Sequence, residues 1–167
     1  FRMEHKKALF RITCDFKEFN PMVPYNDTMD AARVGTGFLM GMKDDNQKKT
    51  MVVVTNHHVV RNAERLTATC SSLREGRNVT LELLGVSPVV DVALLSLVDV
   101  TDEEIKSLTP FFPVASSSSL PHGLSVTALG FAGGSYRVHT TAGTISGRLG
   151  WPHNRIQTDT QIGRAHV

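Results

Sequence analysis

Short runs rich in valine and threonine recur along this chain, with thirteen Gly and seven Pro scattered among them. None carries a helical period long enough to compete with a strand. "ALFRITC" (Ala8–Cys14), "VGTGFLMGM" (Val34–Met42), "TMVVVT" (Thr50–Thr55), "RLTATCSS", "NVTLELLGV" and "VVDVALLSLV" (Val89–Val98) predict about six strands by Val98. Between the first two lies "DFKEFNPMVPYNDTMDAA", whose Pro21, Pro24 and Asn26-Asp27 predict a loop. "KDDNQKK" (Lys43–Lys49) has the character of a charged hairpin tip.

The texture then changes. "TDEEIKSL" (Thr101–Leu108) opens as a capping box, Thr101 standing three residues before Glu104, and predicts a short helix. A Pro- and Ser-rich connector follows, and "LSVTALGF", the glycine turn "AGGSYR", "VHTTAGTISGRL" and "RIQTDTQ" return to strand and turn. The expectation is an all-β chain in two blocks, 1–98 and 121–161, joined by a connector over 99–120 that carries the helical turn.

Composition narrows the function classes. A 41% hydrophobic share with 20% charged residues over 167 positions suits one ordinary globular domain with a core of its own. No apolar run approaches the roughly 20 residues of a membrane span. The formal charge is only +2, and Lys6-Lys7 and Lys48-Lys49 are isolated pairs, which argues against a nucleic-acid-binding stripe. Cys14 and Cys70 are too few for a disulfide framework and are expected to be buried thiols. The last six residues, "IGRAHV", match a translation of a widely used sequencing-library adapter (ATC GGA AGA GCA CAC GTC). Native sequence is therefore expected to end near Gln161, leaving 17 basic against 16 acidic residues and a formal charge of +1.

"MVVVTNHHVV" (Met51–Val60) breaks an apolar run with a polar knot, as though a strand stopped in order to present something. Neighbouring side chains on a strand point to opposite faces, so His57 and His58 are poorly placed to share one ion. His122, His139 and His153 stand in separate segments, and a metal site is disfavoured. Asp91 lies among valines in "VVDVALLSL", where burying an unpaired carboxylate would cost several kcal/mol. It needs a partner, which could be the His58 imidazole or backbone amides. A histidine oriented by a buried aspartate is the base-and-orienter half of a catalytic triad.

"GTGFLM", "VVVTNHHVV", "VDVALLSL", "VTALGFAGG", "TTAGTISG" and "RIQTDTQ" stand in an order and at spacings that resemble the trypsin-like serine proteases of the HtrA/Deg group. The likeness runs from Ala8 to Gln161. It implies a chymotrypsin/trypsin-like double β-barrel, the first barrel complete and the second partial. It places the general base on His58 and the orienting carboxylate on Asp91, with Gly35 and Gly37 either allowing close backbone approach or marking a bulge. It further implies polypeptide substrates that are unfolded or damaged, a homo-oligomer of three or more subunits, and no metal or organic cofactor. The chain departs from the group at the nucleophile. The group's "IQTD" leads to Gly-Asn-Ser-Gly-Gly, whereas here it runs into "TQIGRAHV". Ser116 to Ser119, Ser135 and Ser146 all precede that point, so these 167 residues are expected to lack activity alone. The alternative is a catalytically inactive, protease-like binding module.

Overall fold

The computed structural model describes residues 7–18, 29–43, 49–108, 117–131, 135–149 and 155–158. Strand β1 (Leu9–Glu18) sets the pattern. Phe10, Ile12 and Cys14 have zero exposure, while Arg11 and Thr13 between them are half-buried. That alternation is what a strand with one face on a core requires. β1 pairs antiparallel with β2 (Met29–Lys43), from Leu9 opposite Phe38 to Glu18 opposite Met29. The loop predicted from Asp15 to Ala32 is thus shorter than its polar letters suggest. Asp15–Glu18 and Met29–Ala32 continue the ladder, because backbone pairing does not require both faces to be apolar where a barrel rim meets water. Positions 19–28 lie outside the described residues, as do 44–48 of the charged tip, although Lys43 and Lys49 pair at its base.

β3 (Lys49–Thr55), β4 (Arg65–Thr69), β5 (Val79–Ser87) and β6 (Val92–Leu97) complete the first unit. The spatial order β1-β2-β3-β6-β5-β4 closes on itself through β1–β4 pairing, so this barrel has no free edge. Its interior is filled by Phe10, Ile12, Leu39, Val53, Ala68, Val79, Ala93 and Leu95, all within 1% of full burial. β7 (Ser125–Gly130), β8 (His139–Leu149) and β9 (Arg155–Thr158) form a separate antiparallel sheet in that order. The expected all-β architecture, a complete trypsin-like barrel and part of a second, is the one the chain adopts. A further boundary differs: β6 begins at Val92, and Val89 and Val90 are exposed by 73% and 53% in the preceding turn. Their apolar letters disguise a turn as strand.

Two short helices punctuate the sheet, α1 (His57–Val60) between β3 and β4 and α2 (Asp102–Lys106) after β6. The capping box of α2 is formed in both directions: the Glu104 N–H donates to the Thr101 hydroxyl, and the Thr101 N–H to the Glu104 carboxylate, each at 3.3 Å. Leu108, just beyond, is buried in the core of the first barrel. Arg74 anchors this corner, its Nε donating to Glu104 at 2.9 Å and its Nη2 to the Asp99 carbonyl. Cys14 and Cys70 are buried free thiols, and burial pushes the Cys14 thiol up.

The corner is acid-sensitive by construction. The hydrogen bond from Arg74 holds the Glu104 carboxyl below its usual range, and the Thr80 N–H does the same for Asp99. A carboxyl depressed by folding stabilises above its ordinary pKa of about 4, and that contribution is lost as pH falls through the lower folded value. Protection of the amides across 99–108, after correction for the intrinsic pH dependence of exchange, is therefore expected to fall below about pH 4, with Arg74→Met removing the share that Glu104 contributes. Protection that stays constant as the pH falls would contradict the assignment.

Candidate active site

β3 is apolar from Met51 to Val54, and Thr55 and Asn56 end the run. The Thr55 hydroxyl donates to the Thr36 carbonyl at 2.9 Å, tying the strand end to β2. Asn56 keeps an extended backbone, after which the chain turns into α1. Val59 and Val60 plunge into the core at 6% and 3% exposure, and this anchors the turn. Gly35 makes the anchorage possible. A Cβ built there would stand 2.6 Å from Val59 Cγ2, so no side chain fits between β2 and the turn. Gly37 is equally crowded, by Ile12 and Val53. Both glycines serve close approach within a continuous ladder, and neither marks a bulge.

With the valines committed inward, the two histidines face out, His57 half-buried and His58 exposed. His58 Nδ1 lies 2.6 Å from Asp91 Oδ2, and the His58 backbone N–H donates to Asp91 Oδ1 at 2.8 Å. An ionised carboxylate only accepts, so a neutral ring in this contact carries its proton on Nδ1 and leaves Nε2 as the acceptor. The two side chains differ in environment. The imidazole is 66% exposed while the carboxylate is 22% exposed, leaving the ring open to a second partner and the aspartate largely withdrawn from water. Asp91 reaches this place from the turn before β6, with φ of 56° in the left-handed region, a conformation aspartate tolerates better than most residues. The Asn56 side-chain amide donates to the Asp91 carbonyl at 3.0 Å and fixes that turn from the other side.

The two sequence-predicted site residues are thus in direct contact, and Asp91 meets both kinds of partner the sequence left open, the His58 imidazole and a backbone amide. The Ser135 hydroxyl accepts from the Arg137 N–H in its own turn, and Ser146 falls at the β8–β9 register shift. Ser116 lies outside the described residues. A cleft of about 500 Å³ separates the barrel from the second sheet, lined by Thr36, Phe38, Asn56 and Val92 on one side and by Thr127 and Leu129 on the other. Asn56 and Val92 bring it up to the chain segments that carry His58 and Asp91. Sequence reasoning missed Asn56 as a support, though it sits inside the polar knot, and missed Thr36. The Thr36 hydroxyl accepts from the Phe131 N–H at 2.9 Å and so joins β2 to the end of β7. Among the described residues no group of three or more His, Cys, Asp or Glu side chains is placed to hold a metal ion, and no helix is long and apolar enough to cross a membrane.

A closed six-stranded antiparallel barrel that carries a histidine–aspartate pair, with a second sheet across a cleft from it, has a trypsin-like fold. Residues 35–166 match the trypsin-like peptidase domain family, and the chain belongs to that family. It is similar to a probable periplasmic serine endoprotease, DegP-like, of Chlamydia muridarum, at 32% identity over 75% of this chain and 21% of the relative. It is similar also to two proteins of Bacillus subtilis. The serine protease Do-like HtrB is 33% identical over 75% of this chain and 24% of the relative. The serine protease Do-like HtrA is 31% identical over 73% and 25%. The aligned part thus spans about a quarter or less of these curated relatives.

Proposed function

We propose that the full-length protein is a serine endopeptidase of the HtrA/Deg type, in which His58 is the general base and Asp91 its orienting carboxylate. The observation that carries the reading is the 2.6 Å contact between His58 Nδ1 and Asp91 on a ring that remains 66% exposed. Such a ring has one nitrogen committed and one available. Its Nε2 takes the proton of a serine hydroxyl as that oxygen attacks the peptide carbonyl, and returns it to the leaving amine. Asp91 holds the productive tautomer and favours the imidazolium that forms between those events. The serine and the backbone amides that stabilise the oxyanion are assigned to residues following the "RIQTD" run in the parent protein, as in the group it resembles. The substrates are unfolded or damaged polypeptides, the parent assembles as a homo-oligomer of three or more subunits, and the chemistry uses no cofactor. The names of the relatives, serine endoprotease and serine protease, support this reading.

The experiment pairs two forms of the protein. The 167-residue chain, offered an unfolded polypeptide reporter, is expected to give no cleavage, because base and orienter have no nucleophile to activate. The full-length parent is expected to cleave the same reporter, and His58→Ala to abolish that cleavage. Activity in the short chain that disappears with His58→Ala would overturn the assignment of the nucleophile. A full-length parent that binds the reporter and leaves it intact would instead make the protein a binding module.

A further inference from the structure

We propose that Arg33, a residue outside every motif, is a positioning residue that holds the His58 turn in place from strand β2. Arg33 pairs across the ladder with Cys14, and its guanidinium lies over the Phe16 ring at 4.2 Å. From that platform Nη1 donates to the His58 carbonyl at 2.8 Å and Nη2 donates to the Arg61 carbonyl. The turn needs such a partner. A helix of four residues leaves its carbonyls without the amides that a longer helix would supply, and a cation at its C-terminal end meets the negative pole of the aligned peptides.

The position of these bonds gives them their consequence. The His58 N–H is held by Asp91 and the His58 carbonyl by Arg33. Both peptide groups flanking the His58 Cα are therefore fixed, by carboxylate on one side and guanidinium on the other. The direction of the Cα–Cβ bond follows from those two planes, and with it the path of the imidazole toward Asp91. Arg33 touches no reacting atom. It acts by removing the freedom of the backbone to rock about Asn56, where the structure gives α1 no side-chain cap. A planar fork is required to reach two carbonyls at once; a lysine ammonium on the same strand would reach one.

The inference rests on reading His58 as the general base, so its test has a readout that needs no catalysis. In the isotope-labelled 167-residue chain, the His58 Nδ1 proton is observed by NMR as it exchanges with water. Arg33→Met is expected to speed that exchange about tenfold or more, the loss of a charge-assisted hydrogen bond, while amides of β5 and β6 keep their shifts. Arg33→Lys, retaining charge and one contact, is expected to fall between. In the full-length parent, kcat should drop by about tenfold to a hundredfold with KM unchanged, as for a displaced catalytic group. Should Arg33→Met fail to fold, Arg33→Lys decides, and wild-type exchange in that variant overturns the proposal. If Asp91→Asn abolishes the Nδ1 proton signal and Arg33→Met leaves its exchange at the wild-type rate, the positioning role is rejected and the His58–Asp91 reading survives. If the parent keeps its activity with His58→Ala, the functional reading fails whatever Arg33 does.

Discussion

Asp91→Asn is expected to lower kcat/KM of the full-length protein about ten-thousand-fold with little change in fold. The size of the effect follows from the bonding at this carboxylate. Oδ1 accepts from the His58 N–H and Oδ2 faces His58 Nδ1. An asparagine side chain is nearly the same shape, so its oxygen would keep the backbone bond and its amide nitrogen would turn toward the ring. That nitrogen donates where the carboxylate accepted. Nδ1 would have to become an acceptor, the ring proton would move to Nε2, and the nitrogen required to deprotonate a serine would already carry a proton. Steady-state kinetics on an unfolded polypeptide check the rate, and ring-nitrogen NMR of His58 checks the tautomer. A loss smaller than about tenfold, or an unchanged tautomer, would contradict the role given to Asp91.

Gly37→Ala is expected to destabilise the first barrel by about 2–3 kcal/mol, the cost of forcing a methyl group into a filled core. The added Cβ would stand 2.7 Å from Ile12 Cδ1, 2.9 Å from Val53 Cγ1 and 3.1 Å from the Val54 carbonyl. Ile12 and Val53 have no exposed surface into which to retreat. The carbonyl belongs to the strand paired with β2, Val54 standing opposite Phe38, so relief on that side means disturbing the ladder. Urea denaturation of the 167-residue chain followed by circular dichroism gives the measurement. An unaltered midpoint would show that the barrel wall yields more easily than its packing implies. Gly35 faces the same restriction from Val59, on the turn that carries His58. A substitution there strains that turn directly.

How much of this was legible in the letters depended on whether a position obeys a local rule. The barrel strands announced themselves because a core-facing strand must alternate or run apolar, and Phe10, Ile12, Val53 and Leu95 do so. The contact between His58 and Asp91 was one of two options the residues left open for a carboxylate among valines, and the family resemblance singled it out. The paired ends of β1 and β2 were not, since Lys17, Glu18 and Asp30 contribute backbone bonds to the ladder without an apolar signature. The turn that carries Asp91 was concealed by Val89 and Val90, exposed residues that mimic the start of a strand. Arg33 gave no signal at all, because a long side chain that reaches two carbonyls in another segment leaves no periodic trace.

Thr36 spends its hydroxyl and its carbonyl on other segments, the hydroxyl on Phe131 and the carbonyl on Thr55. One residue thereby serves as the shared benchmark from which both halves are surveyed. If the second sheet slid along the first barrel, it would drag on the strand that delivers the imidazole, or else abandon a bond in a partly dry seam. Alignment across the groove and alignment of the proposed base are consequently a single degree of freedom, set when the two halves dock.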